Sequence, residues 1–232
     1  MDEEKAEKKR LLYSLLFPGG FVVLLWIIKG IELTLEENFV SLGLYPMETK
    51  GLLGILFGPL IHGDLGHLAA NSVPLLILGT GIFYFYRPIS LKVFFFIYFT
   101  SGMMLWFGGR EGYHIGASGL VYGFAAFLFL SGILRKHIRL MAISLLVVFL
   151  YGSMVWGVLP IDPNVSWEGH LFGGLSGLVV AFYYKDQGPQ RKKYQWEIDE
   201  EMEEMNMDYY DWLIHDHFRN KKRKGENEDD NE

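Results

Sequence analysis

The sequence predicts an all-α protein, a polytopic membrane bundle of six transmembrane helices. Three observations predict this fold class: an apolar composition, six long apolar segments, and the gathering of Lys and Arg on one side of those segments. Half of the 232 residues are hydrophobic and 16% are aromatic, and the mean hydropathy is positive. A soluble domain of this length rarely has such a composition.

The formal net charge of −6 is unevenly distributed along the chain. Residues 1–185 contain 13 basic and 12 acidic side chains, net +1, whereas residues 186–232 contain 8 and 15, net −7. We therefore expect a six-helix membrane domain over residues 1–185 and an acidic cytoplasmic tail over residues 186–232. The basic residues form short flanks and not an aromatic-interleaved patch, so no nucleic-acid partner is expected. The absence of cysteine excludes disulfides and thiolate metal sites.

Six segments are long and apolar enough to cross a hydrocarbon core, which takes about 20 residues. They are Leu11–Ile31, Leu65–Tyr86, Leu91–Gly108, Gly116–Leu134, Ile138–Leu159 and Trp167–Tyr184. The first follows a charged segment, as a signal peptide does, but it is too long and lacks a small-residue cleavage site. We therefore interpret it as a retained helix.

Lys and Arg in the short flanks predict the orientation of the bundle. One side has the residues Lys5, Lys8, Lys9, Arg10, Arg87, Lys92, Arg135, Lys136, Arg139, Lys185, Arg191, Lys192 and Lys193. The other side has only Lys29, Lys50 and Arg110. By the positive-inside rule both termini are cytoplasmic, which agrees with an even number of spans. Because no organelle-targeting segment is present, we expect a multi-pass protein of a prokaryotic cell membrane.

Two regions depart from the pattern of helices joined by short loops. The connection over residues 32–64 contains an apolar segment, 51–61, that is too short to span, so we expect it to dip into the outer interface. The tail has apolar residues at helical spacing among many acids, which predicts an amphipathic helix that docks a cytoplasmic partner. These residues are Ile198, Met202, Met205, Tyr209 and Trp212. Residues 219–232 are highly charged and are predicted to be disordered.

Polar side chains within the predicted spans are candidates for function because their burial in lipid is costly. His62, His67 and Asn71 surround the start of the second span, Ser118 lies at the start of the fourth, and His170 at the start of the sixth. At a rise of about 1.5 Å per residue, Asn71, Ser118 and His170 lie about 22–26 Å above the cytoplasmic ends of their helices. All three are therefore expected at one level, just below the outer surface.

Glycines at four-residue spacing predict that the fourth and sixth helices cross closely. They are Gly119 and Gly123 in one helix and Gly169, Gly173 and Gly177 in the other. Such a crossing would bring Ser118 near His170. Small residues of this kind also pack helices in proteins without any active site, so this pattern alone is not specific.

A serine beside a histidine supports nucleophilic acyl transfer, since a neutral imidazole can accept the hydroxyl proton. The backbone N–H of Ser118 and the side chains of His67 and Asn71 are candidate oxyanion donors. A metal at His62 and His67 is disfavoured, because no third ligand has suitable spacing. An acid that orients His170, either Asp64 or Glu168, stays open as an alternative. A transporter would be expected to show paired intramembrane charges or inverted repeats, and the sequence has neither.

Taken together, these motifs resemble those of the rhomboid intramembrane proteases, over about residues 11–185. The resemblance is carried by His62-x4-His67-x3-Asn71, Gly116-x-Ser118-Gly119 and His170-x2-Gly173-x3-Gly177. It implies a six-helix rhomboid-like bundle with a membrane-dipping first loop. It also implies a serine endopeptidase, without cofactor or metal, that cleaves transmembrane protein substrates within the lipid bilayer near the outer end of their membrane segment.

The resemblance further implies a role for each motif residue. Ser118 and His170 would form a dyad that works without a third, acidic member, and His67 and Asn71 would stabilise the oxyanion. The supporting residues would be His62, the accompanying histidine, Gly116, which admits the substrate backbone, and Tyr122, which stacks on the catalytic imidazole.

One expected motif is missing, and one alternative function must be considered. The first loop lacks the Trp-Arg pair that many family members have there, so its anchoring is not predicted. Catalytically inactive relatives that bind membrane clients are the main functional alternative. Such proteins typically lose the serine or the histidine, whereas this sequence has both.

Overall fold

Every regular element in the described part of the chain is helical. The computed structural model describes residues 2–136, 157–162, 165–188 and 195–229, with scattered positions between 138 and 149. The α-helices are α1 (Asp2–Leu35), α2 (Gly54–Phe57), α3 (Leu65–Phe85), α4 (Ser90–Gly108), α5 (Ser118–Leu134), α6 (Trp167–Tyr183) and α7 (Gln195–Asp229). Short 3-10 helices lie at Phe39–Leu42, Thr49–Gly51 and Gly58–Leu60.

Three of these helices are long and apolar enough to cross a membrane. They comprise Glu3–Leu35, Leu65–Phe85 and Ser90–Gly108. Aliphatic side chains on α1, such as Leu12, Leu16 and Val23, are exposed on its surface. An exposed apolar surface of this kind is expected to be covered by lipid. The protein is therefore a membrane protein. The predicted fifth span, Ile138–Leu159, falls largely outside the described residues.

The observed helix bounds differ from the predicted ones mainly in α1 and α5. Helix α1 starts at Asp2 and ends at Leu35, because its charged first turns are also good helix formers. Helix α5 starts at Ser118 and not at Gly116, because Gly116 has φ +106°, outside the helical region. Helices α3, α4 and α6 begin and end within one residue of the prediction.

Helices α5 and α6 approach each other until their backbones touch. A Cβ atom added at Gly173 would lie 2.1 Å from Gly119 O, and one at Gly177 would lie 2.1 Å from Gly123 O. Only glycine permits this distance between helices. The crossing predicted from the glycine spacing is therefore present, and it positions the first turns of the two helices side by side.

The segment between α1 and α3 folds against the loop that precedes α5. Leu44 and His114 exchange both backbone hydrogen bonds, at 3.0 and 2.8 Å, and Gly116 N donates to Gly58 O at 2.9 Å. Gly54 packs on the backbone of Leu44, where a Cβ would lie 2.1 Å from the Leu44 Cα. These contacts fix the backbone that leads into Ser118.

The chain forms two compact units, Met1–Gln190 and Arg191–Glu232. In the second unit α7 runs to Asp229, through residues that were predicted to be disordered. Highly charged segments of this kind are rich in Glu, Lys and Arg, and these residues also favour helix. Composition alone therefore did not distinguish a helix from a disordered segment. The apolar residues Ile198, Met202, Met205, Tyr209 and Trp212 are exposed on α7. That this unit is a cytoplasmic tail stays a prediction.

Candidate active site

Ser118 and His170 are hydrogen-bonded across the α5–α6 crossing. The Ser118 Oγ atom lies 2.8 Å from His170 Nε2, although the two residues are 52 positions apart in sequence. Ser118 is the first residue of α5, and His170 lies in the first turn of α6. His170 is 9% exposed and Ser118 is half-buried. The imidazole is therefore largely shielded, whereas Ser118 is partly exposed.

The second nitrogen of His170 is held by a backbone carbonyl. Nδ1 lies 2.8 Å from Gly157 O. Because a carbonyl oxygen can only accept a hydrogen bond, Nδ1 carries the proton and Nε2 presents its lone pair to the Ser118 hydroxyl. The Tyr122 ring stacks on the imidazole with centroids 4.2 Å apart and an interplanar angle of 11°. These contacts fix both the tautomer and the plane of the ring.

The two acids considered as a third catalytic member make other contacts. Asp64 caps α3, its Oδ1 accepting from His67 N at 2.8 Å. Glu168 faces Arg110, with Oε1 3.6 Å from Nε. Neither contact involves His170, so the geometry favours a dyad oriented by the Gly157 carbonyl.

His67 and Asn71 lie on α3 and face the same cavity as the dyad. The cavity has a volume of about 490 Å³, and its lining includes His67, Asn71, Ser118, Tyr122 and His170. Asn71 is 6% exposed, and no acceptor in the described part of the chain bonds its Nδ2. Buried amide donors are normally satisfied. Asn71 therefore places an unpaired amide donor at the wall of the cavity that also holds Ser118.

Gly116 makes room for His67. A Cβ at Gly116 would lie 2.7 Å from both Cε1 and Nε2 of the His67 ring and 3.7 Å from Asn71 Nδ2. Its φ of +106° also favours glycine. In the structure the space beside Gly116 is therefore occupied by His67. The resemblance had implied that this space would admit the substrate backbone.

His62 supports the backbone directly before the serine. Its ring is 1% exposed, and Nε2 accepts a hydrogen bond from Ala117 N at 3.3 Å. Burial, reinforced by the nearby His67 and Lys29, lowers the pKa of His62 to about 4, so the ring is neutral near pH 7. A neutral ring keeps the lone pair that this hydrogen bond needs. In the described part of the chain, no group of three His, Asp or Glu side chains could hold a metal ion.

Sequence reasoning missed several groups that position α6. Ser166 caps this helix, its Oγ accepting from Gly169 N at 3.3 Å. The same Oγ lies 2.6 Å from His114 Nδ1, and His114 Nε2 contacts Arg110 O at 2.9 Å. A serine before an apolar periodic segment is a helix-start signal and was available in the sequence. The partnership with His114 was not, because it joins residues 52 positions apart.

Comparison with known proteins places this sequence in a family. The family model described as Rhomboid domain matches residues 50–187. Similar proteins occur in Mycobacterium bovis and Mycobacterium tuberculosis, each 34% identical over 186 residues, covering 74% of this chain and 75% of the relative. A Mycobacterium leprae protein is 33% identical over 181 residues, covering 74% and 71%. All three carry the name uncharacterized protein.

The matched region contains the second to sixth predicted spans and all of the motif residues. The family consists generally of serine intramembrane proteases. On this match, which covers more than half of the sequence, the chain belongs to the rhomboid family.

Proposed function

We propose that this protein is an intramembrane serine endopeptidase in which Ser118 is the nucleophile and His170 the general base. The observation that carries the proposal is the 2.8 Å contact between Ser118 Oγ and His170 Nε2, made while Nδ1 is bound to Gly157 O. A serine hydroxyl becomes an effective nucleophile only when such a base can take its proton. The unpartnered Nδ2 of Asn71, a residue that lines the same cavity, supports acyl transfer rather than helix packing alone.

The reaction proceeds in two half-reactions. Ser118 Oγ attacks the carbonyl carbon of the scissile peptide bond as His170 Nε2 takes the hydroxyl proton. The resulting oxyanion is stabilised by the Ser118 backbone N–H, Asn71 Nδ2 and the His67 side chain. His170 then gives the proton to the leaving amine, and the C–N bond breaks. A water, deprotonated by His170, hydrolyses the acyl-enzyme and restores Ser118.

The oxyanion donors lie on two elements. Ser118 is at the start of α5, where backbone N–H groups have no acceptor within the helix. His67 and Asn71 are separated by one turn of α3, so they share one face of that helix. The proposed donors thus come from two different helices that line one cavity.

The proposed setting is a cell membrane crossed six times, with both termini in the cytoplasm. The distribution of Lys and Arg supports this orientation, and the lengths of α1, α3 and α4 support spanning. The segment over residues 32–64 would dip into the outer leaflet. Ser118 and His170 would then lie near the outer surface, and the substrates would be transmembrane proteins cut near the outer end of their helix.

A fluorophosphonate probe tests the proposal directly, because it forms a covalent bond only with an activated serine. We expect purified wild-type protein to be labelled and Ser118→Ala to remain unlabelled. Ser131→Ala is a matched control, since Ser131 is a buried serine on the same helix but outside the cavity. Absence of labelling in folded wild-type protein would favour the inactive, client-binding alternative. Labelling that survives Ser118→Ala would assign the nucleophile to another residue.

A further inference from the structure

Lys29 is a buried charge in α1 that the proposed reaction does not use. Its side chain is 8% exposed, and its Nζ lies 2.8 Å from Oε2 of Glu32, whose side chain is also 8% exposed. Charged side chains within membrane helices are costly, and those that occur have specific partners or functions. Lys29 was predicted to lie near the outer end of the first span, Leu11–Ile31. Because α1 continues to Leu35, Lys29 lies further from the end of the helix, and it is buried.

The ammonium group of Lys29 joins α1 to the segment that precedes α3. Besides Glu32, Nζ donates to His62 O at 3.0 Å and to Gly63 O at 3.1 Å. All three N–H groups of the ammonium therefore have an acceptor. Glu32 in turn accepts through Oε1 from Phe39 N at 3.1 Å. The ion pair thus holds both ends of the segment that connects α1 to α3.

The carbonyls held by Lys29 lie next to groups that serve the proposed reaction. The ring of His62 accepts from Ala117 N, and Ala117 directly precedes Ser118. Gly63 directly precedes Asp64, whose side chain caps the backbone of His67. The contact with His62 O therefore connects Lys29 to the proposed nucleophile, and the contact with Gly63 O connects it to a proposed oxyanion donor.

We propose that Lys29 is a positioning residue for the reaction. By fixing the carbonyls of His62 and Gly63, it sets the His62 ring against Ala117 and sets the start of α3, and thereby places Ser118 and His67. This inference rests on the proposed function. Glu32 balances the charge of Lys29, whereas the two bonds from Nζ to the carbonyls act on the site. A purely structural role for the pair would affect stability alone.

The test compares variants that remove either the carbonyl bonds or only the ion pair. Lys29→Met combined with Glu32→Gln removes the three Nζ bonds without leaving an unpaired buried charge, which would by itself be strongly destabilising. Glu32→Gln alone leaves the buried Lys29 charge without its counter-charge, which should lower the Tm, but it keeps the bonds from Nζ to the carbonyls and an acceptor for Phe39 N. Trp26→Phe is a matched control for stability, because it removes a 3.0 Å bond from α1 to Ser72 Oγ, which lies on α3 and outside the segment that Lys29 binds.

The readout is the rate constant for labelling of Ser118 by a fluorophosphonate, measured on the full chain well below each Tm. For the double variant we expect a fall of about tenfold to hundredfold, the usual effect of a small misplacement of reacting groups. With a transmembrane substrate, kcat should fall while KM stays nearly unchanged. Glu32→Gln and Trp26→Phe should lower the Tm and keep the labelling rate close to that of wild type.

Three outcomes distinguish the positioning role of Lys29 from the proposed protease function. Labelling of the double variant at the wild-type rate would overturn the positioning role and leave the proposed function intact. The same would follow if Trp26→Phe lost as much rate as the double variant at equal Tm. Failure of wild-type protein to label would instead count against the proposed function.

If the double variant does not fold, Lys29→Arg makes the same comparison. Arginine keeps a positive charge beside Glu32, but the donors of its planar guanidinium group cannot reproduce the three hydrogen bonds of the Lys29 ammonium group. A folded Lys29→Arg protein should label more slowly than wild type. Labelling at the wild-type rate would overturn the proposal.

Discussion

The imidazole of His170 is held by three groups of different chemistry. Ser118 Oγ binds Nε2, the Gly157 carbonyl binds Nδ1, and the Tyr122 ring covers one face. A carbonyl fixes the tautomer as a carboxylate would, but it supplies no full negative charge for the imidazolium that would form in the proposed reaction. Stacking on Tyr122 offers a second source of stabilisation, because the face of an aromatic ring attracts a cation.

Asn71→Ala tests the oxyanion assignment. Removal of one preorganised donor typically costs about 10²–10³ in rate, and sharing with His67 and the Ser118 N–H should place the loss at or below the lower end. The loss should appear in the single-turnover rate and leave substrate affinity nearly unchanged.

Ser72→Ala is the matched control for Asn71→Ala. Ser72 is the next residue on α3 and bonds Trp26 and Leu68 O, so its loss should lower the Tm and leave the rate unchanged. A normal single-turnover rate in Asn71→Ala, accompanied by a lowered Tm, would show that Asn71 only packs α3 against its neighbours.

At the scale of elements, two contacts set the site: the glycine crossing of α5 and α6, and the cap at the start of α3. The crossing brings Ser118 and His170 together through backbone contact. The cap fixes the first turn of α3, in which His67 lies. Each contact therefore places a side chain of the proposed site without taking part in the proposed chemistry.

Gly173→Ala should impair both folding and labelling, because the new Cβ would lie 2.1 Å from Gly119 O. Since backbone atoms cannot yield as a flexible side chain does, the helices must separate. Gly174→Ala is the control on the adjacent position, where a Cβ meets nothing within 4 Å. That change should leave activity intact and raise the Tm slightly, because alanine favours helix. Equal effects of the two substitutions, compared by Tm and fluorophosphonate labelling, would contradict the backbone crossing.

The cap on α3 should make stability depend on pH. The hydrogen bond from His67 N lowers the pKa of Asp64 below its ordinary value. The stabilisation is therefore present above the unfolded pKa, about 3.9, and is lost as pH falls through the lower folded value. Asp64→Ala should reduce the Tm more at pH 7 than at pH 3. Asp64→Asn, which keeps an accepting oxygen, should reduce it less at pH 7. An Asp64→Ala effect that is equal at both pH values would exclude the charged cap.

At the scale of the whole molecule, the sequence predicted the features that follow from a local or repeating pattern of residues. The lengths of the apolar segments predicted the ends of α3, α4 and α6 to within one residue, and the glycine spacing predicted the α5–α6 crossing. It did not give the contacts of Gly157 O, His114 or Lys29, because each joins distant residues through a geometry that local pattern does not encode. The start of α5 was also missed, because no local pattern predicts that Gly116 has a positive φ or that the His67 ring packs beside it.

Deletion of residues 194–232 should leave the membrane unit folded and active. The chain divides into Met1–Gln190 and Arg191–Glu232 by contact, and the site lies wholly within the first unit. We expect the truncated protein to keep its Tm and its labelling rate in detergent. A loss in detergent would show that α7 supports the membrane unit. A loss confined to cells would indicate a cytoplasmic partner for its exposed apolar side chains.

The most direct test of the central claim is cleavage of a transmembrane substrate by wild type, Ser118→Ala, His170→Ala and the double variant. Because Ser118 and His170 are proposed to act as one unit, each single substitution should abolish cleavage, and the double variant should be no worse than either. All three variants should keep the wild-type Tm to within a few degrees, since neither side chain is part of the glycine crossing. Losses that add across the two substitutions, or substantial cleavage by either single variant, would contradict the dyad.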